Sequence, residues 1–320
     1  MRAWVLVTAI VAVVSVAVDS QTVLPSPTPR EPSWVFPVQA GSLPAETPEP
    51  KTIPGSARKY PPKEIDDLNN PPDWFPDQHP PAPMIVQKGR EGVFACGSCH
   101  LMSGLGHPES ADLTGYTAAY FVQQMMDFRS GARQDFARRM DGFAKAMTDE
   151  EIRQAAEYFA SLPRKQFNRV VEAAMVPRTF VGQGRMRFID PKQTGMEPIG
   201  DRIITVPENE NMARLRDPRA VSGFVSYVPP GSIAQGKALV ETGGGKSVAC
   251  IICHGDGLKG TGNVPRLAGV HPVYIARQLM MFKEGLRKGP DAALMQKPTA
   301  QLNDRDIINI AAYAGSLNPE

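Results

Sequence analysis

The chain has 320 residues, enough for two domains, and its 35 Lys and Arg nearly balance 33 Asp and Glu, for a formal net charge of +2. A nucleic-acid partner would call for a clustered basic excess, so this balance gives no support for one. Hydrophobic residues make up 42% of the chain, which is sufficient for folded cores.

The chain begins with an apolar segment that is typical of an export signal. One arginine precedes an almost unbroken apolar run over residues 3–18, which predicts a secretory signal peptide over residues 1–20 and an exported protein. An uncleaved membrane anchor formed by residues 3–18 is the alternative, because this length lies at the lower edge of a membrane span. No cysteine precedes Cys96, which excludes a lipid-modified N-terminal cysteine.

Residues 21–83 form a proline-rich segment that contains 17 of the 31 prolines. Proline lacks the backbone N–H and fixes φ, so we predict an extended, semi-rigid tether without a helix or a central strand. The aromatic residues Trp74 and Phe75 near its end are expected to pack on a neighbouring domain. A disordered linker throughout is the alternative.

Two short motifs account for all four cysteines of the chain. The sequence CGSCH begins at Cys96 and the sequence CIICH begins at Cys250, 154 residues further on. The segments that follow, 111–133 and 265–287, align without a gap and share Leu, Gly, Tyr, Gln, Met, Phe and Arg at equivalent positions. The chain therefore contains an internal duplication.

The duplicated modules are predicted over residues 84–163 and 231–320. Each contains an amphipathic helix in the aligned segment and ends in a second helix, whose apolar residues recur at helical spacing. Thr148 and Asn303 are the predicted N-caps of these closing helices. The second module also has an N-terminal helix in SIAQGKALVET, whereas the first has no convincing counterpart.

Four chemistries use two thiols at this spacing. A redox-active dithiol expects an α/β context and has no use for the following histidine. A structural zinc site needs four ligands, and a disulfide leaves the histidine unexplained. Haem attachment uses every residue, because the thiols form thioethers with the two vinyl groups and the histidine binds the iron. We therefore predict two covalently bound haem c groups, held by Cys96, Cys99 and His100 and by Cys250, Cys253 and His254.

The sixth iron ligand has to come from elsewhere in each module. A methionine thioether opposite histidine is the usual pair in electron transfer. Met140 and Met295 stand 40 and 41 residues after the motif histidines, just ahead of the closing helices, and we predict them as ligands. Met147 is the rival in the first module, but its counterpart Leu302 cannot bind iron.

Several polar groups are candidates for a role around the haems. The carbonyls of Ala111 and Pro265, eleven residues after each motif histidine, are placed to accept the proton on the other ring nitrogen. Arg133 and Arg287 would pair with haem propionates or form solvated charges at helix ends. His107 lies in a Gly-rich loop too near its motif to reach the opposite haem face, so we predict a solvated histidine.

Residues 164–230 form an insertion between the modules that is too long for a plain linker. The sequence FNRVVEAAMV predicts a helical extension, and DRIITVPEN and SGFVSYVPPGS predict short strands bounded by turn residues. A β-ribbon packed across both modules and a docking surface for a partner are the two interpretations.

On these motifs the chain resembles the tandem dihaem class I cytochromes c of the c-four type. The resemblance rests on CGSCH and CIICHG, on PRLAG, and on a methionine ahead of LNDRDIINIAAY, and it covers the two modules, a little over half of the chain. It implies a mainly α fold with two tandem class I cytochrome c domains, His–Met iron ligation and a periplasmic electron carrier. The proline-rich tether and the partly β insertion lie outside it.

Six-coordinate iron in both modules leaves no free position for a substrate, which favours an electron-transfer protein over an enzyme. We expect an exported carrier of single electrons in a respiratory chain. Its redox partners would be a donor dehydrogenase or quinol-oxidising complex and an acceptor oxidase, with membrane association if the anchor is retained. The alternatives are a cytochrome subunit of a membrane-associated dehydrogenase complex and a dihaem peroxidase, which requires one open iron site.

Overall fold

The computed structural model describes residues 28–216 and 222–320, so the predicted signal peptide and anchor lie outside the described residues. Within the described ranges, no helix is both long enough and apolar enough to cross a membrane. The architecture is mainly helical, with two helical modules and a small β-rich region between them.

The described residues of the first half, from residue 28 onward, form six α-helices, of which the last three build most of the first module. Thr148 and Glu151 form the predicted capping box at the start of the closing helix, since each side chain accepts a hydrogen bond from the other's backbone N–H. At the N-terminus of the first module, residues 84–87 form only a single helical turn. This agrees with the sequence, which shows no convincing N-terminal helix in this module. The helices are α1 Pro62–Ile65, α2 Met84–Gln87, α3 Gly97–His100, α4 Ala118–Ser130, α5 Arg139–Ala146 and α6 Asp149–Ser161.

The described residues of the insertion, 164–216 and 222–230, form seven short strands and one α-helix. Strand β1 pairs in parallel with β7, and β6 pairs antiparallel with β7; β2 pairs with β5 and β3 with β4. The elements are β1 Asn168–Glu172, β2 Met175–Pro177, β3 Thr179–Val181, β4 Arg187–Ile189, β5 Met196–Pro198, β6 Ile204–Pro207, α7 Glu210–Arg214 and β7 Phe224–Val228.

The predicted helical extension in FNRVVEAAMV is wrong, because these residues form β1 and the start of β2. Val170 and Val171 are β-branched and fit a strand, and Asn168 is buried against its partner strand. The hydroxyl of Ser226 on β7 donates to Asn168 Oδ1 at 2.6 Å. The two predicted strands are confirmed as β6 and β7.

The second module has the larger of the two helical cores. It begins with the N-terminal helix that the sequence predicts. Helices α8 and α12 cross at Gly236, where a Cβ atom would come within 1.9 Å of the Asn309 carbonyl oxygen, so only glycine fits. Asn303 and Asp306 form the capping box of the closing helix. The helices are α8 Ser232–Thr242, α9 Ile251–His254, α10 Pro272–Lys283, α11 Ala293–Ala300 and α12 Asp304–Ser316.

The described part of the tether packs on the rest of the protein and contains one helical turn, α1, so the prediction of a tether without a helix is wrong. Residues 34–36 are buried in the core of the second module. The Trp74 indole N–H donates to the carbonyl of Leu215 in the insertion at 2.8 Å, and Phe75 lies in the same apolar cluster. The aromatic residues thus pack on the insertion, while residues 66–69 of the tether line the cavity beside the first cysteine motif.

Candidate functional site

Each cysteine motif folds into one helical turn, α3 or α9, that brings its three functional side chains together. The backbone N–H of His100 donates to the Cys96 carbonyl at 3.0 Å, and that of His254 donates to the Cys250 carbonyl at 2.9 Å. Residues at i and i+4 lie on the same face of such a turn. Each turn ends at a residue with positive φ, 63° at Leu101 and 76° at Gly255.

The state of the thiols argues against the non-haem alternatives. All four cysteines are free. Burial raises the pKa of the Cys96 thiol to about 12 and that of the Cys250 thiol to about 11, whereas redox-active dithiols have a lowered pKa. In residues 28–216 and 222–320, no group of three or more His, Cys, Asp or Glu is arranged to hold a metal ion by itself.

The predicted carbonyl acceptors of the motif histidines are confirmed. His100 Nδ1 lies 2.8 Å from the Ala111 carbonyl oxygen, and His254 Nδ1 lies 2.7 Å from that of Pro265. Nδ1 therefore carries the proton, and Nε2 of each ring has the lone pair that a metal ion requires. Burial lowers the pKa of both imidazoles and so favours the neutral form that a metal requires.

One continuous cavity of about 1840 Å³ reaches both motifs. Its walls are largely apolar, and they include every residue predicted to hold haem, so the donor set and the shape of the cavity fit two adjacent haem groups. These eight residues are Cys96, Cys99, His100, Met140, Cys250, Cys253, His254 and Met295.

The two predicted methionines occupy equivalent short helices. Met140 lies in the first turn of α5 and Met295 in α11, each just before the closing helix. Asp135 Oδ2 accepts the backbone N–H of Arg139 at 2.9 Å, which holds the first turn of α5 in place. Met147 also lines the cavity, so the structure brings both candidates of the first module to the same wall.

Arg133 and Arg287 are buried at the junction of the modules, each with 7% of its surface exposed. The prediction of solvated charges at helix ends is therefore wrong. Both guanidinium groups line the cavity and hydrogen-bond to the amide oxygens of Gln124 and Gln278 at distances of 2.7–3.1 Å.

A second polar contact ties together the segments that support the two histidines. Asp112, next to Ala111, forms a buried ion pair with Arg266, next to Pro265. Arg266 Nε also donates to the Thr114 carbonyl at 2.9 Å. The carbonyl acceptors of the two modules therefore belong to segments that are linked directly across the interface.

His107 is not the solvated loop residue that we predict from the sequence. Its side chain lies at the cavity wall, and burial followed by the charges of Arg185 and Arg216 lowers its pKa well below the usual value. Its Nδ1 accepts the backbone N–H of Glu109 at 3.2 Å. The Gly-rich loop folds inward because residues of the insertion cover it.

Sequence reasoning also missed the residues that the insertion contributes to the cavity. Gln183, Gly184, Arg185 and Arg216 line its wall, although they lie outside both duplicated modules. No motif or repeat distinguishes them, so their position depends on how the insertion packs.

The fold and this site define a c-type cytochrome with two haem-attachment modules. The sequence profile of the cytochrome c family matches residues 233–318 of this chain. Cytochrome c-554(547) of Halothiobacillus neapolitanus is 35% identical over 95 residues, which cover 27% of this chain and 98% of that protein. The chain belongs to the cytochrome c family.

Two longer relatives span both modules. Cytochrome c4 of Pseudomonas aeruginosa is 26% identical over 238 residues, 72% of this chain and 87% of that protein. The thiosulfate dehydrogenase electron acceptor of Thiomonas intermedia is 24% identical over 230 residues, 70% of this chain and 80% of that protein. The chain is a tandem dihaem class I cytochrome c that resembles cytochrome c4, with two covalently bound haem c groups and a role in electron transfer.

Proposed function

We propose that this protein is an exported carrier that passes single electrons between redox proteins of a respiratory chain. The observation that supports this most is the repeated donor set around one cavity, with two cysteines, a histidine and a methionine from each module. Cys96 and Cys99 would attach the first haem, with His100 and Met140 as its axial ligands. Cys250, Cys253, His254 and Met295 would do the same in the second module.

The haem iron, once bound, supplies a one-electron couple between the ferric and ferrous states. The protein's own contribution is to hold each imidazole in one orientation through the Ala111 and Pro265 carbonyls, and to exclude water with apolar walls. The thioether of Met140 or Met295, as a second iron ligand, would favour ferrous iron and a higher reduction potential. Iron held by both a histidine and a methionine would have no position left for a substrate.

Export supports this role, because residues 1–20 have the pattern of a secretory signal peptide. We place the protein in the periplasm, between a donor dehydrogenase or quinol-oxidising complex and an acceptor oxidase. Mass spectrometry of the purified protein distinguishes a cleaved signal peptide, which removes the apolar segment, from a retained anchor, which keeps it.

A second candidate function is that of an electron-accepting subunit of one dehydrogenase. It is favoured by the relative named thiosulfate dehydrogenase electron acceptor and by the insertion, which adds a surface that the duplicated modules lack. Purification in mild detergent distinguishes the two functions. A complex with a dehydrogenase whose substrate reduces the haems favours the subunit, and a monomer that exchanges electrons with several proteins favours the carrier.

The first experiment is to produce the protein with a haem-attachment system and record oxidised and reduced absorption spectra with a pyridine haemochrome count. We expect two c-type haems for each chain, both low-spin, with a near-infrared sulfur-to-iron band. Fewer than two haems, or one high-spin haem that turns over peroxide, would contradict the carrier and favour a dihaem peroxidase.

A further inference from the structure

The hairpin formed by β3 and β4 carries an arginine into the wall of the haem cavity. Its turn is closed by the backbone N–H of Gly182, which donates to the Met186 carbonyl at 2.9 Å. Arg185 lies in this turn with φ of 64°, a left-handed conformation that is unfavourable for a residue with a side chain. Gln183 Nε2 donates to Asp66 Oδ1 of the tether at 2.9 Å and so holds the turn in place.

The Arg185 side chain is buried without its full set of partners. It has 8% of its surface exposed, and its Nε and Nη1 atoms are buried without a hydrogen-bond partner among the described residues. Its guanidinium group lies 4.5 Å from the centre of the Phe136 ring, which orients the group and leaves its donors free. A buried charge with unpaired donors is costly unless an acceptor completes the site.

The neighbouring charges do not supply that acceptor. The carboxylate of Glu109 is paired with Arg277, and the side chains of both residues are almost fully buried. The His107 ring offers no charge, since burial lowers its pKa. Arg216 is a further cation on the same wall and donates to the Ser98 carbonyl. Glu109 lines the same wall, but its carboxylate is engaged by Arg277, and no carboxylate among the described residues accepts a hydrogen bond from Arg185 Nε or Nη1.

We propose that Arg185 pairs with a propionate carboxylate of the haem in the first module and thereby raises the reduction potential of that haem. The inference rests on the proposed function, because it requires a haem in this cavity. The first module is the one concerned because Arg185 and Arg216 both lie close to His107, and Arg216 donates to the carbonyl of Ser98 within the first cysteine motif. A planar guanidinium group matches a carboxylate with two parallel hydrogen bonds.

The charge of Arg185 acts on the potential through electrostatics. Reduction adds one electron to the haem, so a nearby cation stabilises the reduced form, and burial makes the interaction stronger than in water. The insertion would in this way make the reduction potentials of the two haems differ, although the modules that hold them are repeats of each other.

The test is a spectroelectrochemical titration of the holoprotein and of three variants at fixed pH and ionic strength. In Arg185→Gln we expect one of the two potentials to fall by about 59 mV, the equivalent of a tenfold change in the ferrous-to-ferric ratio for one electron. Arg185→Lys keeps the charge and is expected to retain most of the wild-type potential. Arg178→Gln removes an exposed charge from the same insertion and is expected to leave both potentials in place.

The outcomes separate this inference from the function on which it rests. Two attached haems with both potentials unchanged in Arg185→Gln would overturn the role of Arg185 alone, as would an equal shift of both haems. Fewer than two haems on the wild-type chain would overturn the proposed function. If Arg185→Gln does not fold, Arg185→Met preserves the contact with Phe136 and is expected to lower the same potential.

Discussion

Arg133 and Arg287, which occupy equivalent positions in the two modules, lie next to each other and are joined by an antiparallel backbone bridge. Gln124 Oε1 accepts a hydrogen bond from each of them, at 2.7 and 2.8 Å, and Gln278 Oε1 does so at 3.1 and 3.0 Å. Two like charges are thus held together by shared neutral acceptors at the centre of the interface.

Arg287→Met is expected to weaken the junction of the modules. The change leaves Gln124 and Gln278 short of donors in a buried site, and hydrogen bonds from charged groups contribute about 1.5–3 kcal/mol each. We expect the free energy of unfolding of the holoprotein to fall by about 2 kcal/mol, measured by guanidinium titration. Arg169→Met, on an exposed residue, is the control, and equal effects of the two changes would show that the shared hydrogen bonds add nothing.

The Asp112–Arg266 pair is expected to show strong coupling in a double-mutant cycle. Asp112→Ala leaves a fully buried guanidinium group without its counter-charge, which should cost about 3–5 kcal/mol. Arg266→Met in the same chain removes that unpaired charge, so the double variant should be less destabilised than the sum of the single variants. Additive losses in denaturant unfolding would mean that the two groups do not interact.

Met140 and Met147 can be separated by spectroscopy. Met140→Leu is expected to remove about half of the near-infrared sulfur-to-iron intensity and to lower one reduction potential, because the soft thioether ligand is lost. Met147→Leu reproduces the residue at the equivalent position, Leu302, and should leave the band in place. Met295→Leu should match Met140→Leu. If Met147→Leu removes the band instead, the ligand of the first haem is Met147.

His271 predicts a specific pH dependence of stability. Burial, followed by the charge of Arg266, lowers its pKa to about 3, whereas an unfolded histidine titrates near about 6.5. The unfolded state therefore binds more protons between these values, and stability falls as the pH drops below about 6.5, by up to about 1.4 kcal/mol for each pH unit. This loss ends once the pH falls below the folded pKa.

His271→Phe should remove this contribution. The ring lies edge-on to Phe167 and Phe224, at centroid distances of 6.1 and 5.2 Å, so a phenyl ring fits the same aromatic site. Unfolding midpoints of the wild type and the variant, measured between about pH 5 and pH 8, should lie close together near pH 8 and separate below about pH 6.5, where only the wild type loses this stability. Parallel curves would show that His271 titrates alike in both states.

The parts of the structure that follow local rules could be predicted from the sequence. The helix periodicity, the Thr148 and Asn303 caps and the carbonyl partners of the motif histidines all depend on residues close in the chain or on the repeat. The fold class follows from the same repeat. The paired approach of Arg133 and Arg287 needed the packing of one module on the other, which no local pattern encodes.

The positions of residues in and around the insertion could not be predicted from the sequence, because they depend on contacts between distant segments. Residues 168–172 have apolar positions that suit either a helix or a strand, and pairing with β7, more than 50 residues away, decides between them. The glycine-rich loop around His107 predicts a solvated histidine, but Gly184 of the insertion lies against its ring. Arg185 reaches the cavity only because a hairpin outside the repeat is held against it by the tether.

The Asp112–Arg266 pair breaks the symmetry of the duplication. Asp112 and Arg266 lie 154 positions apart in sequence, the same spacing as the two cysteine motifs, so they are equivalent residues of the two modules. They meet across the interface with opposite charges. Two first modules in this arrangement would bring carboxylate against carboxylate, and two second modules would bring guanidinium against guanidinium. Only unlike modules neutralise each other, so this contact selects association within one chain over the pairing of identical halves from different chains.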